Sequence, residues 1–214
     1  MTPFIVRCRS LALLAGFLLI FAGAGQVRGD IIVQYTFPTP TTTTDQRAGP
    51  GFEPTILADN AIATDVSLSS SLPSPGEPFI ADRDPAYGRP VLRIDPGDST
   101  NPSQAVAGGR YFEFTVAADL DFFLNLDSLT FRAARGGGAT PRGWVLRSSL
   151  DNFAADIASM AVPTQRPELT DFTVDLRSDA FQALDAVTFR IYSFAPNSGQ
   201  SVEYVDVALN GSVE

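Results

Sequence analysis

Histidine and lysine are absent from all 214 residues, and cysteine and tryptophan occur once each. Without histidine there is no Ser-His-Asp triad and no Cys-His pair. With Cys8 the only thiol, an ordinary His/Cys zinc or copper site is excluded as well. Without lysine a Ser-Lys dyad, a Schiff base and the cation of a phosphate loop are excluded. Ser148 and Ser149 therefore lack a base, and Arg147 cannot serve because a guanidinium stays protonated. There are six glutamates: Glu53, Glu77, Glu113, Glu168, Glu203 and Glu214. What survives of catalysis is a carboxylate pair of the glycosidase kind, about 5 to 9.5 Å apart. Glu113 and Glu203, both on predicted strands, are the two that could meet across a concave face. The expectation is a chain that is not an enzyme, with a carboxylate-dependent glycosidase or lyase as the remaining catalytic reading.

What is present begins with an export signal. Arg7 and Arg9 precede the apolar run Leu11 to Ala22, and Ala22-Gly23-Ala24 supplies a small-residue cleavage site. Residues 1–24 read as a secretory signal peptide cut between 24 and 29. The run is shorter than the roughly 20 apolar residues of a membrane helix, so no stable anchor is expected after cleavage. Cys8 lies before the run, where a lipoprotein cysteine would follow it. The expected location is extracellular, periplasmic or cell-surface. Residues 25–214 suffice for one domain with a real core. With no cysteine left, it must hold by burial, helped at most by a bound ion. All 15 basic residues are arginine, against 24 acids, and the mature charge is about −11. Nucleic acid and anionic membranes are poor partners for such a surface. Extracellular polysaccharide, a surface protein or divalent cations suit it better.

The pattern is that of short strands. Ile31, Val33, Tyr35 and Phe37 alternate with Ile32, Gln34 and Thr36, giving a first strand. Residues 38–102, rich in Pro, Thr and Ser, then carry eleven prolines, which predicts loops with short strands near 62–68 and 91–95. Further on, alternation places Phe112/Phe114/Val116, Leu129/Phe131/Ala133, Phe172/Val174/Leu176 and Val205/Val207/Leu209 on buried faces. Residues 187–194 bury either Val187/Phe189/Ile191 or Tyr192/Phe194, and aromatics on both faces predict a central strand covered twice. Short helical turns are expected at 152–160 and 179–184, a flexible hairpin connection at Arg135–Gly143, and turns at 95–101 and at Asn210-Gly211-Ser212. About nine to eleven strands predict an all-β, two-sheet antiparallel β-sandwich, most simply a jelly roll.

Four residues stand out as candidates. Trp144 is either a sugar-stacking platform or a core residue. Tyr111 and Glu113 are the other candidate ligand contacts on a strand face. Asp206 is either a ligand to a structural calcium or an outward aspartate paired with an arginine. Within Trp144–Phe153 (WVLRSSLDNF), Trp144 and Leu146 share one strand face, and Ser149, Asp151 and Asn152 suit a turn.

Two resemblances add to this. The segment Glu203–Gly211 (EYVDVALNG) resembles the terminal strand of calcium-bearing carbohydrate-binding jelly rolls, although the matching N-terminal acid is missing. The tracts WVLRSSLDNFAADIAS, FTVDLRSDAFQALDAVTFRIYSFAP and EYVDVALNGSV, preceded by VQYTFPT and FEFTVAADLDFFLNLDSLTFRAAR, resemble a domain recurrent in exported bacterial PEP-CTERM proteins. That resemblance implies a β-sandwich of surface or matrix type and carries over no catalytic residue. The sequence ends at Val213-Glu214 without the Pro-Glu-Pro tail, so release without sorting, or a lost tail, is expected. The functional expectation is a secreted, non-catalytic β-sandwich module with a cell-surface, matrix or glycan-binding role. The alternative is a structural interaction domain with no small ligand.

Overall fold

The computed structural model describes residues 29–41, 43, 46–73, 79–84 and 88–214; the signal peptide lies outside them. Thirteen strands are described: β1 (Asp30–Tyr35), β2 (Ile56–Leu57), β3 (Ala61–Ala63), β4 (Ser67–Leu68), β5 (Ile80–Asp84), β6 (Arg89–Ile94), β7 (Tyr111–Ala118), β8 (Leu124–Arg135), β9 (Gly143–Ser148), β10 (Ala158–Ala161), β11 (Thr170–Asp175), β12 (Ala186–Phe194) and β13 (Val202–Val213). They form two antiparallel sheets. Sheet A runs β11-β8-β13-β1-β2, with β6 also on β13 and β5 on β6. Sheet B runs β10-β9-β12-β7-β3, with β4 also on β7.

From β6 onward the chain passes between sheets in the order A, B, A, B, B, A, B, A. Only β9 and β10 are consecutive and paired, which makes strands β6 to β13 a jelly roll. Loop Gly136–Arg142 therefore crosses from sheet A to sheet B, and the expected hairpin there is corrected. It is also held down. Arg142, 1% exposed, donates to the carbonyls of Ala139 (2.9 Å) and Ser201 (2.7 Å) and to Gln200 Oε1. A buried guanidinium needs hydrogen-bond partners, and two loop carbonyls and the Gln200 side chain supply one to each of its nitrogens.

The core lies between the sheets. Phe112, Phe114 and Val116 of β7 face Phe131, Leu129 and Tyr204 of sheet A, as alternation predicts. On β12, Val187, Phe189 and Ile191 enter this core. Tyr192 and Phe194 turn outward beneath helix α1 (Pro102–Ala107), so the strand is covered twice. The sequence reading gave no helix there. In the structure Asn101 Oδ1 caps it by accepting from Gln104 N, and Pro102 sits in its first turn, where a missing N–H costs nothing. Of the two expected helical turns, Asp179–Phe181 is a single 3-10 turn, whereas residues 152–160 are a turn leading into edge strand β10. Ala158 and Met160 pair with Leu146 and Trp144, so sheet pairing overrides local helix preference.

Strand β13 departs from strict alternation. Val202, Tyr204, Val207 and Leu209 join the core, but Val205 does not. A bulge between Val205 and Ala208 leaves Val205 opposite Arg132 on the outer face. The expectation that Val205 shares a face with Val207 is corrected by that one inserted residue. The bulge falls where β13 exchanges one neighbour for another, β6 at Val202–Tyr204 and β1 from Val207 onward.

Candidate functional site

Asp206 occupies the bulge with φ +55°, a left-handed conformation that aspartate tolerates better than most residues. Its carboxylate is held from both sides. Arg89 Nη2 donates to Oδ1 at 2.6 Å and Arg89 Nη1 to Oδ2 at 3.1 Å, while Arg132 Nη2 also donates to Oδ2. Burial pushes its pKa up, but the hydrogen bonds and charges of Arg89 and Arg132 outweigh burial and leave it below the usual carboxylate range. Both oxygens are thus engaged by guanidinium groups, and among the described residues no three acidic side chains gather as metal ligands.

Around this bulge the outer face of sheet A is open. Register sets three cross-strand rows. Asp171, Arg132 and Val205 form the first; Thr173, Thr130, Ala208 and Gln34 the second; Asp175, Ser128, Asn210 and Ile31 the third. The middle row is short and hydroxyl-rich because these positions point away from the core. Charged side chains flank it in the neighbouring rows, Asp171 and Arg132 on one side and Asp175 on the other. The result is a groove of about 980 Å³ over β11, β8, β13 and β1, with Asp127, Asp171 and Arg177 on its walls. Four strands at about 4.8 Å spacing give it a floor roughly 14 Å long. Asp175 at one end is bonded by Arg177 Nε (2.8 Å) and Nη2 (2.7 Å), and those bonds lower its pKa to about 2.

Asn210 belongs to this floor. It is fully buried, and its Nδ2 donates to Ser128 Oγ (3.3 Å) and Thr130 Oγ1 (3.2 Å). The turn expected at Asn210-Gly211-Ser212 is corrected to the interior of a strand. Gly211 is required there, since a Cβ would sit 2.1 Å from the Asn125 carbonyl oxygen.

The outer face of sheet B differs. Arg190 extends between two rings, its guanidinium carbon 3.7 Å from the Phe153 centroid and 4.4 Å from that of Tyr111. Arg190 Nε donates to Glu113 Oε2 at 2.7 Å. Tyr111 also meets Tyr192 edge-on at 5.1 Å. Phe153 reaches this stack because Asn152 and Phe153 both take positive φ, and Asp151 closes their turn by accepting from the amides of Ala154 and Ala155. Tyr111 and Glu113, expected as ligand contacts, thus turn their ring face and carboxylate on Arg190.

Trp144 is a core residue. It is 0% exposed, edge-on to Phe131 (5.0 Å) and Phe172 (5.3 Å). It presents no face to solvent, which corrects the stacking-platform reading. Glu113 and Glu203 do not meet. They point outward from different sheets, and Glu203 is fully buried with Arg93 (3.4 Å) and Arg166 (3.6 Å) beside it. The glutamate pair that would have served a glycosidase is absent.

The groove itself was missed by sequence reasoning. Its signal was available in the outward set Ser128, Thr130 and Thr173, but recognising it required knowing that β11, β8 and β13 are neighbours.

Fold and site together define an all-β, jelly-roll sandwich with a polar groove across one outer face. No family model and no curated protein matches the chain. Among solved structures it is similar to the K3 cleaved adhesin domain of Lys-gingipain from Porphyromonas gingivalis W83 (13% identity, 72% of this chain, 93% of that one, TM-score 0.40). It is also similar to a carbohydrate-binding module solved with β-1,4-galactotriose (11% identity, 72% and 90% covered, TM-score 0.34). A third is a carbohydrate-binding module specific for non-crystalline cellulose (10% identity, 68% and 87% covered, TM-score 0.39). Each likeness is one of fold alone.

Proposed function

We propose that this chain is an exported, non-catalytic β-sandwich that binds a polyhydroxylated polymer, a glycan of the cell surface or matrix, along the outer face of sheet A. The observation that carries the reading is the groove floor. Thr173, Thr130, Ser128 and Gln34 offer donors and acceptors in an open trough that a chain can enter from either end. Sugar hydroxyls exchange hydrogen bonds with such groups at little net cost, so affinity accumulates over several rings.

The same groove is a poor catalyst. Asp171 and Asp175 are four residues apart on β11, about 13 Å at strand rise, beyond the separation of either glycosidase geometry. Asp206 and Asp175 are held as carboxylates by arginines, so neither serves as a general acid.

An array of neutral oligosaccharides, probed with residues 25–214, tests the reading. Binding that falls at least tenfold in Thr173→Met supports it, because the longer apolar side chain fills the floor from an exposed position. Binding that is untouched by Thr173→Met, or absent across the array, counts against it.

A further inference from the structure

The groove is not electrically neutral. Its lining holds four aspartates, Asp127, Asp171, Asp175 and Asp206, but only two arginines, Arg132 and Arg177. Both arginines are committed, Arg132 to Asp206 and Arg177 to Asp175. Asp171 stands exposed on β11 opposite Arg132 in register, yet makes no ion pair among the described residues. Arg89, just outside the lining, also clamps Asp206, so four aspartates face three arginines, and the groove keeps a net negative charge with Asp171 outside any ion pair among the described residues.

Building on the glycan-binding reading above, we infer that the groove selects its polymer by charge: amine-bearing glycans are preferred, neutral ones accepted and uronate- or sulfate-bearing ones refused, with Asp171 as the discriminating residue. The chemistry is direct. A sugar ammonium within about 4 Å of one carboxylate at a wet surface gains about 1 kcal/mol, which is about fivefold in affinity. A uronate at the same point meets the like charge of Asp171, while Arg132 across the strand pair is already held by Asp206. The preference depends on ionic strength, since an exposed pair is screened by salt.

The test compares three soluble oligomers on residues 25–214 by isothermal titration: glucosamine oligomers, their fully N-acetylated counterparts and oligogalacturonate. The expected result is that the deacetylated oligomer binds about fivefold tighter than the acetylated one. That gap should close in Asp171→Asn and in high salt, with oligogalacturonate bound about fivefold or more weakly than the acetylated oligomer. Equal binding of the first two oligomers in the wild type, or a gap unchanged by Asp171→Asn, overturns the charge selection while leaving glycan binding intact. Oligogalacturonate binding as tightly as the others also overturns it. Failure of all three oligomers to bind overturns the selection, and failure of the neutral array as well overturns the glycan reading itself.

Discussion

The two outer faces of this sandwich both carry arginine–carboxylate pairs and end in opposite states. On sheet B, Tyr111, Glu113, Phe153 and Arg190 are turned on one another, and helix α1 lies over Tyr192 and Phe194. On sheet A, arginines and aspartates pair with one another, Arg132 with Asp206 and Arg177 with Asp175, and leave Thr173, Thr130 and Ser128 uncovered between them. The difference lies in side-chain length at the middle row. Long aromatic and guanidinium groups on adjacent strands reach each other and close a face. Short hydroxyls cannot, and the face stays open to a ligand. A residue that looks ready to bind in isolation, such as Tyr111, is the one whose neighbours can most easily occupy it.

The comparison can be broken at graded cost. Trp144→Ala removes the ring packed behind both sheets and is expected to cost about 3–5 kcal/mol in urea unfolding; a loss under 1 kcal/mol would mean that Trp144 is not a core residue. Arg190→Met dismantles the sheet B stack, two ring contacts and one half-exposed ion pair, for about 1–2 kcal/mol. Glycan affinity should be unchanged in that variant, and a large loss would move the site to sheet B.

Asp206→Asn keeps a residue that tolerates positive φ while removing the charge that two arginines hold, at about 1 kcal/mol near neutral pH. The sign of its pH dependence follows from the lowered pKa. The stabilisation is present above the unfolded value of about 3.9 and is lost as pH falls through the lower folded value. The wild type should therefore lose its advantage over Asp206→Asn below about pH 4, by thermal melts across pH 2–7. An advantage that grows with acid would contradict the arginine clamp. Asp206→Ala should cost about 1 kcal/mol more than Asp206→Asn, from backbone strain alone. The smallest effect on stability, under about 0.5 kcal/mol, belongs to Thr173→Met, an exposed position outside the core, although it is the variant expected to abolish binding.

How much of this was legible in the sequence varies with the kind of residue. The core faces of β7, β8 and β11 followed from period-two alternation, because burial on one side of a strand is a local property; which face of β12 enters the core did not, since it carries aromatics on both. The reading failed at Val205, where a single bulged residue reverses the alternation, and at residues 152–160, where pairing with β9 outcompetes helical preference. It also missed α1, whose signals, Asn101 before Pro102, were lost in a proline-rich tract. The turn after Trp144-Val-Leu-Arg was readable because the Asp151 carboxylate accepts from nearby amides and Asn152 tolerates the positive φ there. The groove was not readable. It depends on three strands distant in sequence lying side by side, and no single strand carries the pattern.

The most direct test of the central claim is an amide chemical-shift titration of residues 25–214 with a neutral oligosaccharide that the array identifies. The account predicts shifts concentrated at Gln34, Ser128, Thr130, Thr173 and Ala208, with Tyr111, Glu113 and Arg190 unmoved. Shifts centred on Tyr111, Phe153 and Arg190, with the sheet A rows silent, would contradict it.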